Sequence, residues 1–398
     1  MQFKTFDIIP HDTKIDFVGK RRIAVTLSLI ANLAVIGWAI FHGLNFGVDF
    51  AGGTEMEVQF AQAVEPGAIR RGVEQLGFKD ASVQTYGPES EHTYLIRVGR
   101  VALMTAEDVK RVEDAVRAKF AVAGEPHFNP DVGDKIDFQF QGTPPTTDAL
   151  KAAVESAGVR VSAVREEAGL TAGTRSFAVI TQGIQDKIER DLDARFGAAK
   201  PNVRRMEYVG PAVGRELRNQ GFKAILYAMG LIVLYVGLRF DFRFSPGVII
   251  ALVHDSIITL GYFAFSGREF NLTAVAVILT VVGYSVNDTV VVYDRIRENQ
   301  GRLRGKRLGD LVNLSINEVL GRTFLTSFAT ALSLIGLLVY GVGTIFDFAA
   351  AMFIGIVSGT YSTWFIAAPM TIWLEERASK KKGAPTSRQQ PAPARAVR

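Results

Sequence analysis

The stretch that decides the fold is FNLTAVAVILTVVGYSVNDTVVV, residues Phe270–Val292. It is long and apolar enough to cross the hydrocarbon core of a bilayer, which takes about 20 residues of α-helix. It nevertheless contains a carboxylate, Asp288. A charged group at the centre of a membrane helix costs about 2.5–3.5 kcal/mol on insertion scales, so a residue of this kind indicates a function. The stretch therefore predicts a membrane helix that takes part in proton or ion movement.

The chain contains five further stretches of this kind, so the sequence predicts six membrane spans. One of them, FSPGVIIALVHDSIITLGYFAF, contains a second carboxylate, Asp255, beside His254. The apolar run of the first span is too long for a signal peptide and no small-residue cleavage site follows it, so we expect it to remain as an anchor. The predicted spans are Ile23–Phe41, Ala224–Leu238, Phe244–Phe265, Phe270–Val292, Thr323–Val342 and Phe348–Trp373.

Basic residues outside the spans predict the orientation of the chain. They gather before the first span, between the fourth and the fifth, and after the sixth, and an even number of spans puts all three clusters on one side. The positive-inside rule identifies that side as the cytoplasm. We therefore expect a cytoplasmic N-terminus (1–22), a large block outside (42–221), a basic cytoplasmic loop (294–321) within the helical part (222–374), and a disordered cytoplasmic tail (375–398).

The composition excludes several classes of protein. The chain has no cysteine, which excludes disulfides, thiolate catalysis and cysteine-based zinc sites, and its five histidines do not have the spacing of a metal site. Membrane topology explains the basic clusters behind the net charge of +5, so we expect no binding to nucleic acid. We also expect no cofactor.

The block outside the membrane repeats one order of elements. Alternating apolar residues predict its strands, and an apolar spacing of 3.6 residues predicts its helices. The first passage reads strand Thr54–Phe60, helix Pro66–Leu76, strand Ala81–Tyr86, strand Thr93–Val98 and helix Thr105–Phe120. The second reads strand Lys135–Gln141, helix Thr146–Ala157, strand Val159–Arg165, strand Ser176–Thr181, helix Ile184–Phe196 and strand Val203–Val209.

The order β-α-β-β-α-β is that of the ferredoxin-like fold. We interpret the block as two such units in tandem, at about 50–124 and 134–210; the alternative is a single larger α/β domain. We find no Ser-His-Asp set, no phosphate-binding loop and no pair of carboxylates in an obvious pocket. The predicted fold class is thus a membrane protein of six α-helices with an α/β extracytoplasmic domain. We expect that domain to be a binding or moving module and not an enzyme.

The fourth and fifth spans supply the strongest candidates for a proton relay. A loop joins these spans, which makes them antiparallel neighbours, so Arg322 at the start of the fifth could approach Asp288 and the adjacent Asn287. A carboxylate that alternates between a protonated and an arginine-paired state could act as a proton switch. The alternative for Arg322 is an ordinary arginine that snorkels to the membrane surface.

Other polar groups within the spans allow two interpretations each. Asp255 and its neighbour His254 could relay protons, or Asp255 could form a structural hydrogen bond between helices. Thr326, Ser327 and Thr330 in the fifth span could line a proton path or could merely bond to the backbone.

Two glycine-bearing passages frame the outer block. One, GLNFGVDFAGGTEMEV, leaves the first span, and the other, VGPAVGREL, approaches the second. Glycine permits unusual backbone angles, so these passages are candidate hinges, and rigid close packing at a domain junction is the alternative. The candidate hinge residues are Gly52, Gly53, Gly210 and Gly214.

Five passages in order resemble the SecF subunits of the SecD/SecF family: the two glycine passages, GYSVNDTVVVYDRIREN, RTFLTSFATAL and FDFAAAMFIGIVSGTYSTWFIAAP. The resemblance implies an RND-type membrane fold that forms half of a larger assembly in the bacterial inner membrane, with the outer block periplasmic. It implies SecD, the SecYEG channel and an emerging unfolded preprotein as partners, and the proton motive force, or sodium in some bacteria, as the energy source. The family's intramembrane Asp and Arg fall on Asp288 and Arg322.

The outer block departs from the family, whose members usually carry one compact α/β unit there. The second unit has no function that the sequence assigns. Two rival functions stay open: an RND-type exporter of lipids or small molecules, which predicts an apolar cavity, and a passive scaffold, in which Asp288 and Arg322 are dispensable.

Overall fold

The computed structural model describes residues 13–75, 78, 81–99, 104–128, 135–167, 174–240, 244–303 and 305–381. The chain forms two compact units: a helical unit of residues up to 45 and from 221 onward, and an α/β unit of residues 46–220. The helices are, in chain order, α1 (Arg21–His42), α2 (Val48–Ala51), α3 (Pro66–Gln75), α4 (Ala106–Arg117), α5 (Thr147–Ser156), α6 (Ile184–Phe196), α7 (Pro211–Phe240), α8 (Ser245–Ser266), α9 (Leu272–Arg302), α10 (Leu308–Tyr340), α11 (Thr344–Ser362) and α12 (Ala368–Lys381). The strands are β1 (Gly53–Gln59), β2 (Ser82–Thr85), β3 (Thr93–Val98), β4 (His127–Phe128), β5 (Lys135–Gln141), β6 (Val161–Glu167), β7 (Thr174–Thr181) and β8 (Asn202–Val209).

The helical unit contains six helices that are long and apolar enough to cross a membrane, by length and composition. They are α1, α7, α8, α9, α10 and the last span, Thr344–Leu374, in which a π-helical turn at Thr363–Ala367 joins α11 to α12. The predicted number and places of the spans are therefore confirmed, as is the combination of a helical membrane part with an α/β part.

Helix α11 lies at the centre of the bundle, where it packs against α8, α9 and α10. Two glycines permit its close approach to α9. A side chain at Gly355 would collide with Val281, and a Cβ at Gly359 would lie 3.0 Å from the Cβ of Ser285. Small residues spaced four apart are a common way to bring membrane helices together. This contact brings polar side chains of α9 and α11 to one carboxylate, that of Asp255 on α8.

The predicted basic loop at 294–321 is wrong in most of its length. Helix α9 continues to Arg302 and α10 begins at Leu308, so only a short connection separates them. Apolar side chains of α10 remain buried beyond the membrane stretch, which extends the helical packing. Glu318 strengthens this hairpin: it accepts hydrogen bonds from Arg295 Nε at 2.6 Å and Asn299 Nδ2 at 2.6 Å.

The predicted disordered tail also needs correction. Helix α12 runs to Lys381, so it includes the first residues of the stretch 375–398. That stretch begins with EERASKK, whose Glu, Arg, Ala and Lys residues favour helix, and Arg377 stacks its guanidinium on the ring of Trp373 at 3.7 Å from the centroid. Residues 382–398 lie outside the described residues.

In the α/β unit, the first sheet has the strand order β2-β3-β1-β8, all antiparallel. Helices α3 and α6 cover one face of it, and Ile69 from α3 and Ile188 and Leu192 from α6 pack into its core with Met56 and Ile96. The chain order of these elements is β1-α3-β2-β3-α6-β8, which is the ferredoxin-like motif.

The second sheet has the strand order β4-β5-β7-β6 and a separate core. Helices α4 and α5 supply its covering layer, with Val112 and Val116 from α4 and Leu150 from α5 packed against Ile136 and Phe138. The chain order here is α4-β4-β5-α5-β6-β7. It has the strand neighbours of a ferredoxin-like sheet, but its chain order is a circular permutation of that fold.

The tandem order at about 50–124 and 134–210 is therefore wrong: residues 46–220 form one compact unit, as the alternative expected, and that unit contains two sheets with separate cores. The second sheet with its helices is inserted into the first unit, between β3 and α6. Strand β8 pairs with β1, with Met206 opposite Met56, and so returns the end of the block to its beginning. The predicted strands and helices exist at nearly the predicted residues. However, α4 packs on the second sheet and not the first, whereas α6 and β8 belong with the first sheet and not the second.

Candidate functional site within the helical bundle

Asp255 lies on α8 and its side chain is completely buried. Its carboxylate accepts three hydrogen bonds. Ser285 of α9 donates to Oδ2 at 2.6 Å, Ser358 of α11 donates to Oδ1 at 2.6 Å, and Ser362 of α11 donates to Oδ2 at 2.7 Å. Charged groups within a bundle are held by such partners, and three of them connect Asp255 to both neighbouring helices.

Further hydroxyl groups extend this cluster at the π-helical turn. The hydroxyls of Thr289 on α9 and Thr363 on the π-helical turn lie 2.9 Å apart, and both side chains are buried. The turn adds an extra residue to the helix directly after Ser362, and π-helical turns often mark functional sites. The region between α8, α9 and α11 is thus polar although it lies inside an apolar bundle.

Asp288 lies on α9 and is 2% exposed. Its one hydrogen-bond partner among the described residues is Ser327 of α10, which donates to Oδ2 at 3.0 Å. The hydroxyl of Thr360 on α11 donates in turn to Ser327 Oγ at 2.8 Å. A chain of two hydroxyl groups from two helices therefore holds Asp288, and no cation neutralises it within the part of the chain that the structure covers.

The structure does not bring Arg322 to Asp288. Contacts between the antiparallel helices set the register: Tyr284 lies opposite Thr330 at 3.0 Å and Asp288 opposite Ser327. Arg322 lies five residues nearer the start of α10 than Ser327, roughly 7 Å along the axis. Its side chain is exposed and has no hydrogen-bond or ion-pair partner among the described residues.

Asn287 is likewise exposed, about 100° around α9 from the buried Asp288, and its side chain has no partner in the described part of the chain. Asn287 and Arg322 thus share an outward face of the α9–α10 pair. The predicted relay set consequently divides into two buried carboxylates and two exposed polar groups. Its role as a relay stays a prediction.

The structure does not join His254 to Asp255 either. His254 Nδ1 lies 3.1 Å from Asn32 Oδ1 of α1, whereas the Asp255 side chain turns toward α9 and α11. Of the three hydroxyl residues named on the fifth span, Thr326 donates to the backbone carbonyl of Arg322, Thr330 contacts Tyr284, and only Ser327 reaches a carboxylate.

The four candidate hinge glycines lie in a closely packed part of the α/β unit. Gly52 has φ +76°, and a Cβ there would lie 2.8 Å from the Cα of Pro211. A Cβ at Gly214 would lie 3.0 Å from the backbone nitrogen of Gly52, while Gly53 has φ +125° against Val98 and Gly210 is buried. This is the geometry of close packing. The hinge role stays a prediction.

Sequence reasoning missed the hydroxyl groups of the last span. Ser358, Thr360 and Ser362 all take part in binding the two carboxylates. A signal was present, because the passage IVSGTYSTW places four hydroxyl-bearing Ser and Thr residues close together in an otherwise apolar span. Residues 358 and 362 are one helical turn apart and therefore share a face. Among the described residues, no group of His, Cys, Asp and Glu could hold a metal ion.

Comparison with known proteins identifies the family. The profile described as Protein export membrane protein SecD/SecF, C-terminal, matches residues 190–377, and the SecD/SecF GG motif matches residues 37–64. The protein translocase subunit SecF of Koribacter versatilis is 36% identical over 92% of this chain and 93% of its own length. The same subunit of Pseudomonas aeruginosa is 34% identical over 90% of this chain and 91% of its own.

Solved structures agree with this assignment. SecDF from Thermus thermophilus, described as a translocon-associated membrane protein, is 30% identical and covers 92% of this chain with a TM-score of 0.65. This chain spans only 39% of that longer chain. The super-membrane-facing form of SecDF gives a TM-score of 0.56. The RND-type fold expected from the resemblance is supported by this neighbour. The chain is a multi-pass membrane protein and belongs to the SecD/SecF family of protein export membrane proteins.

Proposed function

We propose that this chain acts as the SecF subunit of a SecDF complex and uses the proton motive force to promote preprotein movement through the SecYEG channel. Its relatives are named protein translocase subunits, and the solved SecDF is translocon-associated. In this proposal both termini lie in the cytoplasm of a bacterium, and the α/β unit lies in the periplasm, where it holds and releases the emerging chain.

The observation that carries the proposal is the binding of Asp288. A carboxylate inside a membrane helix costs free energy, so its presence indicates a function. Here a single hydroxyl group contacts it, and no cation does so among the described residues. A group held so weakly can gain a proton or change its partner. Asp255, by contrast, accepts hydrogen bonds from three serines and is held more firmly.

The proposed cycle follows from the register of α9 and α10. With Asp288 protonated, Ser327 remains its partner, as in this structure. Loss of the proton favours an approach of Arg322, which requires α10 to shift along or rotate around α9, because Arg322 lies five residues from the contact at Ser327. Movement of one charge across 100 mV supplies about 2.3 kcal/mol, enough to bias two arrangements of the helices by more than tenfold.

The outward face of α9 and α10 supports SecD as the partner. Over several turns the exposed side chains of this face are polar or small, whereas a surface that contacts lipid tails carries large apolar side chains. Asn287 and Arg322 are its least lipid-compatible groups, because Asn287 exposes an amide inside the fourth predicted span and Arg322 exposes a charge at the start of the fifth. A second six-helix subunit would bury them. The exposed residues of this face are Ala276, Thr280, Gly283, Asn287, Arg322, Thr326 and Ser333, and Leu272 and Leu337 continue it at one end.

The experiment is Asp288→Asn, measured as proton-driven preprotein translocation in inverted membrane vesicles. We expect the variant to lose the part of the rate that depends on the proton gradient and to keep the remainder. Asp294→Asn is the matched control, since Asp294 is an exposed residue of the same helix that pairs with Arg239 at 3.6 Å. Undiminished proton-driven translocation in Asp288→Asn would remove this residue from the mechanism.

An exporter of lipids or small molecules remains a second candidate because an apolar groove of about 500 Å³ lies between α10 and the last span. Phe324, Phe328 and Phe365 line it, and Ser327 and Thr360 form part of its wall. Affinity purification separates the two functions. The translocase predicts co-purification of SecD and SecYEG, whereas the exporter predicts a bound small ligand and transport that does not need the Sec channel.

A further inference from the structure

The segment before the first span is docked onto the bundle by two asparagine side chains. Asn313 Oδ1 accepts from the backbone amide of Phe17 at 2.8 Å, and Asn317 Oδ1 accepts from that of Ile15 at 2.9 Å. Both amide nitrogens donate back to the carbonyl of Ile15, at 3.1 Å and 2.9 Å. The two asparagines are one turn apart on α10, so both side chains reach the backbone of this segment. We call this pair, Asn313 and Asn317, the asparagine clamp.

One side chain of the segment is inserted into the last span. Phe17 is 3% exposed, and its ring centroid lies 5.3 Å from that of Phe365 and 5.9 Å from that of Trp364. Both partners belong to the π-helical turn. Rings at these separations and tilted angles attract each other beyond simple burial. Residues 13–19 therefore connect α1, which follows them directly, with α10 and the last span.

The helices that this segment joins are those that bind Asp288. Ser327 lies on α10, and Thr360 lies on the last span one turn before Trp364. A movement of α10 against the last span would separate the Thr360 hydroxyl from Ser327. It would also pull the asparagine clamp away from the Phe17 pocket, because the clamp lies on one helix and the pocket on the other.

Little side-chain burial holds the segment. Lys14, Ile15, Asp16 and Gly19 are exposed, and Phe17 is its one buried side chain. Segments with one apolar anchor and a few hydrogen bonds open locally at a small free-energy cost. The dock is thus specific in its hydrogen bonds but weak enough to open and close.

We propose that residues 13–19 form a latch, which holds α10 against the last span while Ser327 contacts Asp288 and opens when α10 moves. This inference rests on the proposed proton-driven function and adds its regulation. Release of the latch and movement of α10 are one event, so locking the latch stops the cycle without a change at Asp288 itself.

The first test is amide hydrogen exchange of the full chain in detergent, which does not depend on translocation. The amides of Ile15, Phe17 and Val18 should be protected in the native chain. The double substitution Asn313→Ala and Asn317→Ala should speed their exchange roughly tenfold or more, and Asn202→Ala in the α/β unit should not. Equal exchange in the native and the double variant would show that these asparagines do not hold the segment, and would overturn the latch.

The second test locks the latch by a disulfide. A Cβ at Gly309 would lie 3.7 Å from Val18 Cγ1, so Val18→Cys with Gly309→Cys can be oxidised across the dock, and the native chain has no cysteine to interfere. We expect oxidation to abolish proton-driven translocation and reduction to restore it, while each single variant is unaffected. Full activity of the oxidised pair, or failure of the disulfide to form, would overturn the latch. If the translocation rate does not depend on the proton gradient in either the native chain or the reduced double-cysteine variant, the proposed function itself is overturned.

Discussion

Asp255 and Asp288 are both buried carboxylates in apolar helices, but the protein binds them differently. Asp255 has hydroxyl donors from Ser285, Ser358 and Ser362 at 2.6–2.7 Å, which occupy three of the roughly four acceptor sites of a carboxylate and come from two neighbouring helices. Asp288 has Ser327 at 3.0 Å. Burial alone therefore does not show that a carboxylate is free to change its partner. The number of donors that must be broken decides whether a buried group can change partner.

From this difference we expect separate roles for the two sites. The donors of Asp255 lie on α9 and α11, helices in close contact through Gly355 and Gly359, so its bonds hold the centre of the bundle together. The donor of Asp288 lies on α10, whose opposite face carries Arg322. We therefore expect Asp255 to determine stability and Asp288 to determine activity.

The largest expected effect is on stability at the first site. Asp255→Ala removes three buried hydrogen bonds, and each such loss costs about 1 kcal/mol, so we expect a decrease of roughly 3 kcal/mol in the free energy of unfolding. Asp288→Ala strands one hydroxyl and should cost about a third as much. Thermal unfolding of both variants in detergent checks the ratio. Equal losses would end the distinction between a firmly and a weakly held carboxylate.

The next effect concerns the donor at the second site. Ser327→Ala removes the hydrogen bond to Asp288, and we expect about a tenfold decrease in proton-driven translocation with a small change in stability. Thr323→Val is the control, since Thr323 lies buried on the same helix and donates only to the backbone carbonyls of Val319 and Leu320. An unaltered rate in Ser327→Ala, together with an unaltered pH dependence of the rate, would mean that the serine does not position Asp288.

The smallest effect is expected at a third carboxylate, which has several donors but lies near the ends of α9 and α10. Glu318 binds Arg295, Asn299 and Arg302, and its side chain is 23% exposed. Because such partly exposed ion pairs contribute little, Glu318→Gln should lower the free energy of unfolding by about 1 kcal/mol or less. Translocation and thermal unfolding should both stay near the native values. A large loss of translocation would show that donor number does not separate structural from working carboxylates.

The sequence predicts elements better than it predicts their partners. Periodicity placed the strands Thr93–Val98 and Lys135–Gln141 and the helix Ile184–Phe196 at the residues where the structure has them. It did not predict that β8 pairs with β1, because that pairing joins residues about 150 positions apart, and local spacing contains no information about so distant a contact. A tandem order was the simplest arrangement of the elements, and the nested order uses the same elements.

A similar limit applies to the site. The connection between the fourth and fifth spans correctly implied that α9 and α10 are antiparallel neighbours, and it suggested Arg322 as the partner of Asp288. Which face of α10 turns inward depends on packing over its whole length, where Leu320, Thr323 and Ser327 are buried. That rotation brings Ser327 to the carboxylate and leaves Arg322 outside. The donors of Asp255 depend similarly on the close contact of α9 and α11.

The claim that Asp288, and not Asp255, exchanges its proton is tested most directly by infrared difference spectroscopy of the protein in liposomes as the pH is changed. A carboxyl group that gains or loses a proton changes its C=O stretching band. We predict a band from a buried carboxyl group in the native protein, its loss in Asp288→Asn and its persistence in Asp255→Asn. A band that survives Asp288→Asn and disappears in Asp255→Asn would contradict the assignment.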